Sequence, residues 1–129
     1  MANAEAGARL RRQNNPMTFD SALALTRRAL QGEEGELRWR TDPRIMWTSP
    51  LLPTEAQALE LLRAVTCPTL VITTPVLAGY LGAHLHSRLA SLAEGRHALV
   101  EGGHHVHLDD PATIAPIVLD FLKSDGALR

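Results

Sequence analysis

Aromatic residues are scarce: two Trp, one Tyr and two Phe make up 4% of the 129 residues, so a core must be aliphatic. Cysteine is nearly absent. A single thiol, Cys67, excludes an intrachain disulfide framework and fits a reducing compartment, with cytoplasm the default. No apolar run approaches the roughly 20 residues that span a bilayer, so no membrane is expected as a partner. An excess of one charge is also missing. Thirteen basic against 14 acidic residues leave a net charge of −1, which gives no footprint for nucleic acid or an anionic surface. Repeats and low-complexity runs do not occur.

What is present reads as globular. Hydrophobic residues reach 45%, and the length suggests one domain with a core of modest size. Residues 1–16 carry three arginines but no apolar stretch, so they are not a secretory signal and are expected to be a disordered lead-in. The end, Gly126-Ala127-Leu128-Arg129, matches no retention or peroxisomal address, and residues 125–129 are expected to be a tail.

Between these ends the pattern changes once. Residues 17–66 read as helices with polar connections, and residues 67–124 as strand, helix, strand, helix, an α/β arrangement. The first helix is predicted over Phe19–Gln31, capped by Thr18 or Asp20 and stopped at Gly32, before the acid-rich loop from Glu33 to Glu36. Thr54 with Gln57 forms a capping box that opens a helix to about Val65. Thr69–Thr73 is a short β-branched run, apolar on both faces as a buried parallel strand requires. A helix from Gly79 to about Leu92, a second strand over His97–Glu101 and a last helix from Asp110-Pro111 to about Lys123 follow. Pro116 is expected to kink that helix or delay its start.

All six histidines lie between positions 84 and 107. The sharpest group is Gly102-Gly103-His104-His105-Val106-His107-Leu108-Asp109-Asp110-Pro111. It follows a predicted strand, and the loop after a parallel strand is where open α/β sheets place ligands and catalytic groups. Three readings of this loop stand side by side. The histidines serve an ordinary turn; or His105 and His107, on one side of an extended loop, bind a metal with Asp109 or Asp110; or one histidine is the general base of a nucleophilic hydrolase.

Four segments in order resemble the α/β-hydrolase family. Cys67-Pro68-Thr69-Leu70-Val71-Ile72 resembles its penultimate strand, and Gly103–Pro111 resembles the loop carrying its catalytic histidine. Ile117-Val118-Leu119-Asp120-Phe121-Leu122 resembles its closing helix. Leu37–Arg44 with Leu52-Pro53-Thr54-Glu55, and Gly79-Tyr80, resemble the serine hydrolase-like branch, the former its cap region. The resemblance implies a partial α/β-hydrolase fold: the C-terminal half, with cap helices and an incomplete parallel sheet. It implies hydrolysis of a small-molecule ester or related bond without cofactor or metal. By position it makes His104 the catalytic base, with His105 and His107 in support of the loop.

The family's nucleophile sits in a G-x-S-x-G turn, and no such motif occurs in these 129 residues. Ser21, Ser49, Ser87, Ser91 and Ser124 lack the flanking glycines, and Cys67 reads as a small buried apolar residue. No carboxylate lies between Thr73 and Ala83, where many relatives carry the triad acid. The chain thus reads as truncated relative to the family, weakly active or inactive alone. Two strands also leave open edges, so marginal stability, a homodimer, or pairing with a complementary N-terminal hydrolase half is expected. The alternative is a non-catalytic interaction or dimerisation module. Arg38, Arg40 and Arg44 beside Trp39 and Trp47 read as a solvated loop with its tryptophans on the core; the competing reading is a surface for an acidic substrate.

Overall fold

A computed structural model describes residues 3–33 and 35–124. Glu34 and the expected tail over residues 125–129 lie outside the described residues. The chain divides into two compact units, with the division between Pro50 and Leu51.

In the first unit, residues expected as a disordered lead-in form helix α1, Ala4–Asn14. Asn3 caps it by accepting the Ala6 N–H at 2.9 Å, Glu5 stands in its first turn and Arg11 and Arg12 in its last, a charge order matched to the helix dipole. Ala8 is 0% exposed and packs with Met17 and Ala22. This small-residue seat gives α1 a tertiary anchor that hydrophobic periodicity alone does not announce. Helix α2, Phe19–Ala29, starts at the Thr18 cap, whose Oγ1 accepts the Ser21 N–H at 3.2 Å. It ends two residues before the predicted Gln31, because Leu30–Gln31 forms strand β1 against β2, Arg38–Trp39, in an antiparallel pair. A short 3-10 turn, Pro43–Met46, follows, capped by Asp42.

The second unit opens with α3, Glu55–Arg63. Its capping box forms as the sequence predicts: the Gln57 N–H donates to Thr54 Oγ1 at 3.3 Å and the Thr54 N–H donates to Gln57 Oε1 at 2.8 Å. Strand β3, Thr69–Thr73, pairs in parallel with β4, Gly95–Leu99, with Thr69 opposite Gly95 and Thr73 opposite Leu99. Among the described residues these two strands pair only with each other. As a result β3 is half-buried except at buried Thr73, and β4 is largely exposed; burial on both faces needs neighbours that a two-stranded sheet lacks.

The crossover is two helices, α4 (Pro75–Leu81) and α5 (Ala83–Ala90), instead of one. Gly82 separates them with φ +53° and ψ −133°, a conformation open to glycine and outside the helical region. After β4 come a short α6, Val106–Asp109, and α7, Pro111–Ser124. Asp110 caps α7 by accepting the Thr113 N–H at 3.2 Å and its hydroxyl at 2.6 Å. Pro116 lies inside α7 without delaying its start. Val100, Val106 and Ile114 form the core, flanked by Ile72, Ile117 and Val118.

Within the second unit, α3 is tied to α5 by side-chain hydrogen bonds. Arg88 donates through Nε to Glu55 Oε1 at 3.1 Å and through Nη2 to Oε2 at 2.7 Å, and His84 Nδ1 stands 3.4 Å from the same carboxylate. The Arg88 hydrogen bonds, chiefly, hold the Glu55 carboxyl below the ordinary glutamate range. A depressed carboxyl stabilises the fold above its unfolded value and stops doing so as pH falls through the folded one. Arg88→Met is therefore expected to lower the melting temperature at neutral pH, with the gap to wild type closing in acid below about pH 4. A gap of equal size at both pH values in thermal melts would assign the loss to the arginine stem instead.

Candidate active site

The carboxyl ends of β3 and β4 lie side by side because the strands are parallel and in register. Beyond β3, Thr73 and Thr74 are 2% and 4% exposed. Thr73 Oγ1 is hydrogen-bonded to His97 Nε2 at 2.8 Å, across the sheet. Thr74 caps α4, its Oγ1 accepting the Leu77 N–H at 3.4 Å.

Beyond β4 the chain must turn within a few residues. Gly102 has φ +139°, and a Cβ there would stand 2.6 Å from Val106 Cγ2; only glycine fits a backbone folded so closely onto the core. Gly103 then accepts the Val106 N–H at 3.1 Å, and His105 accepts the Leu108 N–H at 2.8 Å, closing the turn into α6. This loop holds the histidines as a group. His104 and His105 meet edge to face with ring centroids 4.8 Å apart, and His105 and His107 lie 6.0 Å apart.

A cavity of about 120 Å³ opens between the strand ends, lined by Ile72, Thr74, Leu77, His104, Val106, His107 and Ile114. His104, selected from sequence, is exposed and lines this cavity. His107, read there as loop support, lines it as well. No lining residue carries a carboxylate, and Thr74 has the only hydroxyl, already engaged as a helix cap.

The serines do not supply the missing group. Ser87 donates to the His84 carbonyl at 3.1 Å, Ser91 to the Ser87 carbonyl at 2.9 Å and Ser124 to the Phe121 carbonyl at 2.9 Å, each back onto its own helix. Ser21 lies in the first unit, bonded to Thr18 at 2.9 Å. Cys67, expected to be buried, is exposed, because β3 begins beyond it at Thr69. For the metal reading, no group of three or more His, Cys, Asp or Glu among the described residues is arranged to hold an ion. In chemical terms the site can offer imidazole for proton transfer, a small apolar recess, and no nucleophile.

The tryptophan cluster resolves differently from its sequence reading. Trp47 is 73% exposed, and Trp39 is half-buried with the Arg11 guanidinium over its ring, Cζ 5.3 Å from the centroid. Arg44, one of the three arginines singled out by proximity, is held by Asp42. Sequence reasoning missed Arg11 because it lay in the segment expected to be disordered.

No family model and no curated protein matches the chain. Solved structures do. A hypothetical protein of Pseudomonas aeruginosa PAO1 is 30% identical, with TM-score 0.82 over 95% of this chain and 45% of its own; its selenomethionine form gives 0.80 over 98% and 44%. The thioesterase domain from the curacin biosynthetic pathway is 22% identical, with TM-score 0.70 over 93% of this chain and 44% of its own. The chain thus spans less than half the length of each. Its architecture is mixed α/β with small sheets, and its fold is similar to that of part of the thioesterase domain. No described helix is long and apolar enough to cross a membrane.

Proposed function

We propose that this chain is the histidine-bearing C-terminal portion of an α/β-hydrolase-like protein of the serine hydrolase-like branch. In this reading His104 is the general base for cleavage of an ester, thioester or related bond in a small substrate. The nucleophile and the triad acid come from a complementary segment of hydrolase sequence. The observation that carries the reading is the pairing of His104 with an apolar recess at the carboxyl ends of two parallel strands, in a site without a nucleophile. The coverage of less than half of each solved relative supports the complementary segment.

The test uses p-nitrophenyl butyrate and the purified 129-residue chain, beside His104→Ala. Alone, both are expected to hydrolyse it at the background rate. Addition of the segment of the Pseudomonas protein that this chain does not cover is expected to raise the rate only with His104 present. A clear rate from the chain alone, lost in His104→Ala, would show a nucleophile within these residues and overturn the need for a second segment.

The unpaired edges of the β3–β4 sheet favour a second reading, a non-catalytic dimerisation or docking module. In that case a complex is stable by sedimentation, survives His104→Ala and never hydrolyses the ester.

A further inference from the structure

We propose that the first unit carries a separate binding site for a small apolar carboxylate, anchored by Arg11 against Trp39. A cavity of about 650 Å³ lies wholly within that unit, with Leu10, Arg11, Trp39, Thr41, Ile45 and Met46 on its walls. That volume is in the range of small-molecule sites, roughly 300–1,000 Å³.

Arg11 is the group that needs explaining. The three arginines of α1 differ in what they touch: Arg9 reaches Glu5 at 3.1 Å, and Arg12 donates to the Met17 carbonyl at 3.0 Å. Arg11 has neither kind of partner among the described residues, and its Nε is buried without a hydrogen bond. The carboxylate nearest in the wall, Asp42, accepts both from the Arg44 side chain, at 3.0 Å to each oxygen, and from its backbone N–H at 2.9 Å. The Arg11 guanidinium, its Cζ 5.3 Å from the Trp39 ring centroid, keeps its charge, and its terminal N–H groups suit the two oxygens of a carboxylate. A carboxylate paired with this cation gains charge-assisted hydrogen bonds that a neutral group does not receive.

The remainder of the ligand follows from the walls. Ile45 and Met46 are 71% and 85% exposed and form an apolar lip, suited to a hydrocarbon body. One uncompensated cation fits one carboxylate; a dianionic phosphate calls for a cluster of basic groups. The site rests on nothing in the second unit, so it stands or falls independently of His104.

Octanoate and octan-1-ol, which share a tail and differ in charge, are the probes for calorimetric titration of the full chain. Octanoate is expected to bind at least tenfold tighter than the alcohol. Arg11→Met should abolish that preference while leaving the alcohol bound, and Arg11→Lys should restore only part of it. Ile45→Glu, a change on the exposed lip that folding tolerates, should repel octanoate by its charge. Equal binding of the two probes to wild type, no binding of either, or octanoate binding unchanged in both Arg11→Met and Ile45→Glu would overturn the proposal.

Discussion

In the proposed assembly with a complementary segment, His104→Ala is expected to lower kcat for p-nitrophenyl butyrate by about 10²- to 10⁴-fold, the usual contribution of general acid–base catalysis. KM should change little, because the lost interaction is a proton transfer and not a contact with the resting substrate. The neighbouring histidines provide the internal comparison. The His105 ring contacts those of His104 and His107, so His105→Ala is expected to cost stability more than rate. His107 shares the cavity wall with His104; His107→Ala should alter KM by less than tenfold. Added imidazole should restore part of the rate to His104→Ala only. If His107→Ala falls as far and His104→Ala is silent, the base is His107.

Gly102→Ala is expected to destabilise the second unit by about 2–4 kcal/mol, from backbone strain and overpacking together. The Cβ would enter at 2.6 Å from Val106 Cγ2, and φ of +139° is unfavourable for any L side chain. Val106 is itself core, packed with Val100 and Ile114, so the loop and the core cannot both keep their places. Pairing the substitution with Val106→Ala should relieve the clash but not the strain. The double variant would then be more stable than the sum of the two single losses. Additive losses in denaturant titrations would mean that the loop moves away from the core when crowded. Because the same turn sets His104, partial unfolding here and loss of base function should appear together.

Local signals were the legible part of this sequence. The Thr54–Gln57 box, the Asp110 cap and the β-branched run at Thr69–Thr73 each depend on residues within one turn or one strand, and each formed. The parallel pairing followed from strand, helix, strand order. What stayed hidden depends on distant partners. Helix α1 contains few large apolar residues; its anchor is Ala8 against Met17 and Ala22, a fit that no periodicity reveals. Leu30 and Gln31 continue a helical pattern but are drawn into a strand by Trp39 and Arg38. Gly79 and Gly82 both stand in the crossover, and only Gly82, at positive φ, interrupts it.

At the candidate site the loop position of His104 was readable, and its cavity was not. The recess is made by Ile72 of β3, by Thr74 and Leu77 at the start of α4, and by Val106 and Ile114 from elsewhere. The contact of Arg11 with Trp39 was invisible for the same reason: it joins α1 to β2, which only the folded arrangement brings together.

The two strand pairs also dictate an order of assembly. In the first unit β1 and β2 are six residues apart in sequence, and α1 and α2 four. Such closures involve little loss of chain freedom and form quickly. In the second unit β3 must wait for all of α4 and α5 before β4 exists to pair with it. The pairing of β3 with β4 thus spans the whole of one crossover, whereas the pairings of the first unit stay local in sequence.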